Sequence, residues 1–380
     1  MHLVERYATA CGVKIDKPYI YENFFPLPVE KYITFQPFSK YPSKNYDYWE
    51  EVTSILLPYF QKNNINIIQI GGKDDKPIAN CINLCGQTKI SQAAFIIKRS
   101  IMHLGADSFA AHIASGYDKK IVAIYSNNNI NNVKPYWTNP EDMTLLKPST
   151  NKKPQYSANE IPKTINSIKP EEIAKSVLDL LNIKYDSLPK TLSIGEEYTN
   201  KTLEVIPDKA FDITQVQIDN IIVRMDYEFN EQILEYYLQN KKCIIITDKP
   251  VNENLLKNYK EKIPQLVYIV DKNNDPNFAK SLKRNAINYA LISYLEEKDL
   301  NEFKLDYMDY GLIIRRTYPN KLNINYNNTY FKSSKIILSG KGQFSTKYQW
   351  AKNDNSNKFV DDPELQKELN NLYIFSLDQK

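Results

Sequence analysis

The chain has 380 residues, enough for two domains, and its 42% hydrophobic and 25% charged content is that of an ordinary globular protein. Lys and Arg number 49 against 45 Asp and Glu, and the formal net charge of +4 is too small to argue for nucleic acid by itself. Four irregularly spaced cysteines make no disulfide framework, three histidines argue against a zinc site at Cys81 and Cys85, and no apolar run reaches the roughly 18 residues of a membrane span.

Ten glycines are too few and too scattered for Walker or dinucleotide phosphate loops. The first 12 residues carry Glu5 and Arg6 within a helical pattern, which is not a signal peptide. A cytoplasmic protein is expected. Heavy use of Tyr, Asn, Lys and Ile reads as coding bias of an AT-rich genome, bacterial or phage.

In chain order, Leu3, Val4, Tyr7, Ala8 and Cys11 recur at helical spacing, so residues 2–11 are expected to form an amphipathic helix closed by Gly12. A proline-bearing loop leads to a strand at 32–35, a polar turn at 39–44 and a helix over 46–62. A strand at 66–70 ends in Gly71, Gly72, Lys73, Asp74 and Asp75. Residues 79–84 lead to Gly86, Gln87 and Thr88, and 91–98 form a helix. Strands follow at 101–104, 120–125 and 143–146, with a helix over 108–116 between the first two. A loop rich in Pro, Asn and Lys reaches 168. Pro170, Glu171 and Glu172 open a helix over 170–181. Alternating strands and helices predict a parallel sheet with helices on both faces.

Residues 186–212 are polar and aperiodic, and read as a linker. The alternation restarts with strands at 220–224, 242–247, 266–270, 287–293 and 312–315, and helices at 231–239, 253–262 and 277–284. After residue 318 only one strand is expected, at 335–339. The domains are therefore 1–185, a linker 186–212, and a second α/β domain 213–380.

The segment from Gly105 to Ser115 carries the most chemistry. An apolar strand runs into Asp107 and Ser108, and a helix starts there. In α/β folds, ligands sit at the C-terminal edge of the strands, and a helix N-terminus there favours phosphate. His112 follows Ser108 by one helical turn, on the same face. Capping of the helix would alone explain Asp107 and Ser108.

Five motifs in order resemble the nucleotide-sugar-binding domain of glycosyltransferase family 9, the ADP-heptose lipopolysaccharide heptosyltransferases, over about residues 1–185. They are Ser39 and Lys44 before Trp49; Gly71 and Gly72 before Asp74 and Asp75; Gly86, Gln87 and Thr88; Asp107 and Ser108 before His112; and Ile168, Pro170, Glu171 and Ile173. The resemblance implies a donor site without a bound metal or other cofactor. Lys44 and the hydroxyls of Ser39 or Ser43 would steady the leaving diphosphate. Asp107, Ser108 and His112 would hold phosphates or sugar hydroxyls, Gln87 and Thr88 would lie near the nucleoside, and Lys73 and Asp74 would also bind substrate. The chain departs from the family twice. Phe109 stands where the family has Gly, either filling the cleft or packing into the sheet. The donor-like half also comes first, where the family places it second.

A transferase also needs a base. Asp226, after the strand at 220–224, could face a cleft or simply form a turn. Lysines 332, 335, 341 and 347 lie among aromatic residues and could touch an acidic or aromatic acceptor, or be a solvated surface. The expected fold is α/β, two Rossmann-like domains in a GT-B-type arrangement. The expected function is transfer of a sugar from a nucleoside diphosphate sugar to a glycan, a lipid-linked sugar or modified DNA. The alternative is a non-catalytic nucleotide-sugar or carbohydrate binder derived from such an enzyme.

Overall fold

A computed structural model of the chain describes residues 1–149, 154–214 and 220–377. The chain divides between Thr191 and Leu192 into two compact units.

The first unit contains α1 (Leu3–Cys11), β1 (Tyr32–Gln36), α2 (Trp49–Lys62), β2 (Asn66–Gln69), β3 (Ile82–Asn83), α3 (Ile90–Arg99), β4 (Met102–Ala106), α4 (Phe109–Gly116), β5 (Lys120–Ile124), α5 (Ile130–Val133), β6 (Met143–Leu146) and α6 (Pro170–Leu180). All five residues of β1 and of β4 are buried, as parallel strands covered on both faces require. The sheet order is β3-β2-β1-β4-β5-β6, with every neighbouring pair parallel. Helices α3 and α4 place Ala93, Ile96, Ile97, Ala110 and Ala114 against Ile68, Ile121 and Ala123. Helices α2 and α6 pack on each other and bury Val52, Leu56, Phe60, Ile173, Ala174 and Val177. Each such side chain contributes about 1.5–3 kcal/mol by leaving water, less for Ala. Gly12 ends α1 at φ +66°, a left-handed cap that glycine adopts without a Cβ penalty.

Strand order reverses between β1 and β4. The chain leaves β1 toward β2 on one side and leaves β4 toward β5 on the other. The two following loops therefore diverge, and a crevice opens at the C-terminal ends of β1 and β4.

The second unit contains β7 (Lys190–Ile194), which begins at the boundary, β8 (Thr202–Val205), β9 (Asn220–Arg224), α7 (Glu231–Asn240), β10 (Lys242–Thr247), α8 (Glu253–Asn258), β11 (Leu266–Ile269), α9 (Asn277–Arg284), β12 (Tyr289–Ser293), α10 (Glu297–Phe303), β13 (Ile313–Arg315), β14 (Thr329–Ser333), β15 (Lys335–Ser339), β16 (Gly342–Phe344), α11 (Lys347–Lys352), α12 (Pro363–Gln366) and β17 (Leu372–Ser376). Its main sheet has the order β13-β12-β11-β10-β9-β8-β15-β16, parallel except for the β15/β16 hairpin. A second sheet has three strands in the order β14-β17-β7. From β8 to β13 the order never reverses, so right-handed crossovers put the helices of that stretch, α7 to α10, on one face. Residues from α7, α8, α9 and α10 accordingly join Leu203, Val205, Val223, Ile245 and Leu291 in one core.

Several boundaries differ from the sequence reading. The supposed linker 186–212 holds β7 and β8, and Val205 is fully buried. Strand β8 was disguised by Glu204, a charged residue in a four-residue strand. The tail beyond 318 is not loose: it carries four strands and two short helices. Within residues 79–84, which the sequence reading left unassigned, lies the two-residue strand β3, and the helix expected over 253–262 breaks into α8 and a 3-10 turn. Among the described residues, no helix is long and apolar enough to cross a membrane.

Candidate functional site

Strand β1 ends at Gln36, opposite Gly105 of β4. A Cβ on Gly105 would lie 2.6 Å from the Gln36 carbonyl oxygen, so only glycine lets the two strand ends stay this close. The Gln36 side-chain oxygen accepts the Ala110 N–H at 3.2 Å, tying the first turn of α4 to the neighbouring strand.

The loop after β1 is pinned at several points. The Trp49 indole donates to Pro37 O at 3.0 Å, Ser39 N–H to Asn45 Oδ1 at 2.8 Å, and the Tyr46 hydroxyl to Ile168 O at 2.7 Å. That loop carries Lys44, whose ammonium reaches across the crevice to Asp107 Oδ2 at 2.6 Å. The same oxygen accepts the Asn128 side-chain amide at 2.8 Å. The Asp107 side chain is 5% exposed and that of Lys44 is 20% exposed, so the charges are paired at the rim of the sheet, largely out of water. Asp107 is held in place by its own N–H, which donates to Ile124 O at the end of β5.

Ser108 stands at the N-cap of α4, yet its hydroxyl makes no capping bond. Its oxygen is thus not spent on the helix. His112, one turn on, is half-buried. Burial pushes its imidazole below the ordinary value, and the nearby Asp107 charge opposes this; His2 and Lys44 add to the depression. Phe109 is 40% exposed, so its ring is no part of the sheet core.

The other expected residues divide. Ser43 is buried and its hydroxyl donates to Ser157 O at 2.6 Å, which makes it an anchor of the loop rather than a phosphate donor. The Ser39 hydroxyl closes a local turn with Tyr41. Lys73, Asp74 and Gln87 are exposed and Thr88 is half-buried, in the loops after β2 and β3 on the same sheet edge. Asp75, not Asp74, accepts the Gly72 N–H there. The loops touch: Gly86, at φ +71°, packs so closely on Lys73 that a Cβ would lie 2.7 Å from its Cα.

Asp226, in the second unit, follows β9 as expected. Both its oxygens are taken in a fork by Arg224, at 2.8 and 2.7 Å. Arg224 also reaches Glu204 at 2.6 Å, and Lys335 lies 3.3 Å from the other Glu204 oxygen. A carboxylate so engaged is a structural partner, not a base waiting for a proton. Of the tail lysines, Lys335 is thus paired, while Lys341 and Lys347 lie over the rings of Trp350 and Tyr227.

Residues 11–164 match the model of glycosyltransferase family 9 (heptosyltransferase). This segment is a glycosyltransferase family 9 domain. It holds both sides of the β1/β4 crevice, including Lys44, Asp107, Asn128 and His112. Among solved structures, ADP-heptose LPS heptosyltransferase II of Escherichia coli is 16% identical, with 47% of this chain and 51% of that one covered and a TM-score of 0.33. The glycosyl transferase family 9 protein of Veillonella parvula is 17% identical, covering 47% and 50%, with a TM-score of 0.33. The iron-containing dodecameric glycosyltransferase TibC of enterotoxigenic E. coli is 12% identical, covering 45% and 51%, with a TM-score of 0.36. The match spans about half the length of these proteins. No curated protein matches the chain.

Sequence reasoning missed Gln36 and Asn128 of the family 9 domain. The Asn run directly after β5 was the available signal, since a strand end beside the crevice brings its next residues to the same edge.

Proposed function

We propose that the chain binds a nucleoside diphosphate sugar at the crevice between β1 and β4 and transfers the sugar to an acceptor. The observation that carries this reading is the Lys44–Asp107 pair across the reversal point, beside a Ser108 hydroxyl that caps nothing and the N-terminus of α4. Departure of a nucleoside diphosphate develops negative charge on its phosphates. A fixed ammonium, a free hydroxyl and the α4 N–H groups would stabilise that charge without a metal. His112, kept neutral, would offer a hydrogen bond rather than a charge. The loops after β2 and β3 would face the nucleoside. The second unit would serve the acceptor side of a GT-B-type enzyme.

A second reading, binding without transfer, is favoured by the state of Asp226. With both oxygens held by Arg224, it leaves the reaction without a nominated base. One experiment separates the readings. The chain is incubated with ADP-, UDP- and GDP-sugars and glycan acceptors, and both nucleotide affinity and nucleoside diphosphate release are measured. Binding with release supports transfer. Binding with release no faster than the uncatalysed background supports the second reading. Absence of nucleotide binding overturns both.

A further inference from the structure

A pocket of about 520 Å³, within the range of small-molecule sites, lies wholly in the second unit. Side chains alternate along each strand of the main sheet. Ile245, Leu266, Tyr268 and Leu291 face the core under α7 to α10. Their neighbours Ile246, Val267, Ile269 and Ile292 face the other way and floor the pocket. Strand pairing sets this floor in rows. Arg224, Ile246, Val267 and Ala290 are successive partners across β9 to β12, and Ile292 pairs with both Ile269 and Ile314. The lining runs from Lys335 on β15 to Ile314 on β13, six strand spacings or about 29 Å. A cavity of this volume and length is narrow, so it suits an extended chain better than a compact molecule. Over β10 to β13 its floor is aliphatic and offers no partner to hydroxyls.

The other end is polar and centres on Tyr227. The Arg224 guanidinium lies 3.7 Å from the ring centre and the Lys347 ammonium 4.6 Å. The carboxylates at this end are engaged. Glu204 is held by Arg224 and Lys335, and Asp226 by the Arg224 fork. Glu368 accepts the backbone N–H groups of Lys347 and Tyr348 at 3.1 and 3.0 Å, and burial pushes its carboxyl above the ordinary range. The Lys347 side chain is exposed, and its ammonium has no carboxylate partner among the described residues. An unpaired ammonium at one end of an aliphatic slot complements an anionic head on an apolar tail. We infer that the slot binds a single-chain aliphatic anion, a carboxylate or a phosphate monoester, with its chain across β10 to β13 and its head on Lys347. The site stands on the second unit alone and does not depend on the nucleotide-sugar reading.

The test compares the full-length wild type with Lys347→Met, which removes the charge and keeps the stem, and with Ala290→Phe, which fills the slot at mid-floor with a residue suited to a strand. Probes are dodecanoate, dodecyl phosphate, dodecyltrimethylammonium, acetate and the neutral glucan maltohexaose, each below any micelle concentration. Affinities come from calorimetry, with melting curves to confirm folding. Both dodecyl anions should bind wild type about tenfold or more tighter than dodecyltrimethylammonium, and acetate should not bind measurably. The tighter of the two anions identifies the head group. Lys347→Met should lower anion affinity about tenfold and leave dodecyltrimethylammonium within about twofold. Ala290→Phe should weaken every dodecyl probe about tenfold or more. A wild type that binds neither dodecyl anion, or that binds both charge types equally, overturns the inference. So does unchanged anion affinity in either variant. Binding of maltohexaose in place of the dodecyl anions makes the slot a glycan site and overturns it as well. Should Ala290→Phe melt early, Ile314→Asp at an exposed floor position replaces it; a loss of about tenfold in anion affinity is expected there, and none overturns the inference.

Discussion

The two units are both built from parallel strands and crossover helices, yet they handle charge in opposite ways. In the first, strand order reverses at β1/β4, and the charged residues Lys44 and Asp107 gather at the strand ends where loops part. In the second, the order from β8 to β13 runs one way and leaves a sheet face free of the four helices. There Glu204, Arg224 and Lys335 meet on the sheet. Ile222, Ile244, Ile246, Val267 and Ile269 alternate onto that same face. Charge at a topological switch is paired across the gap where two loops part. Charge on a sheet face is consumed by its neighbours, as the fork on Asp226 shows. Strand order, more than residue type, separates a site from a brace.

The largest expected effect breaks the brace. Arg224→Met would leave Asp226 largely buried without its cation and Glu204 with Lys335 alone, at a cost of about 3–5 kcal/mol. Urea unfolding followed by hydrogen exchange should place this loss in β8–β10, with nucleotide affinity retained in the surviving folded fraction. An equal loss of stability in the first unit would mean that the units are not separate in energy.

Acid should act on the first unit through His103. This ring is fully buried in β4, and burial drives its pKa down to about 3. The unfolded chain takes up a proton near pH 6.5, but the folded unit does not until about pH 3. Stability is thus complete above 6.5 and falls by about 1.4 kcal/mol per pH unit on the way down. His103→Asn should flatten that slope in pH-dependent unfolding. An unchanged slope would show that the imidazole is not the titrating group.

Removing the crevice cation should cost binding more than fold, because Asn128 still donates to Asp107. Lys44→Ala is expected to lower nucleoside diphosphate affinity about tenfold or more by calorimetry, given the strength of charge-assisted hydrogen bonds to phosphate. Lys44→Ala with full affinity would remove the crevice from the proposed site. The smallest effect belongs to Phe109. Its ring is exposed, so Phe109→Ala should change stability by no more than about 0.5 kcal/mol. A larger drop in melting temperature would restore the ring to the core.

Much of the first unit was legible because strands buried on both faces read as apolar runs. Ile101 to Leu104 and Lys120 to Tyr125 were found for that reason; Asp107 and His112 were singled out from where the first of those runs ends, and Lys44 only from the family resemblance. Gln36 and Asn128 were not, because they act across strand ends far apart in sequence. Ser43 looked like a phosphate donor because nothing local reveals that Ser157 accepts its proton. Strand β8 was missed because its Glu204 finds its cations twenty residues on at Arg224 and far beyond at Lys335. Asp226 invited a catalytic reading for a similar reason, since its partner two residues back turns toward it only once the strand has formed.

The contact between Lys44 and Asp107 bears on the proposed turnover. The ammonium already has a resident carboxylate as its partner. Under the proposed function, an incoming diphosphate would have to exchange with that carboxylate, so the net gain would be smaller than for an unpaired lysine. Once the diphosphate left, Asp107 would retake the cation. An internal counter-ion of this kind would trade tightness for quick release, and it ties the two loops together in the empty site.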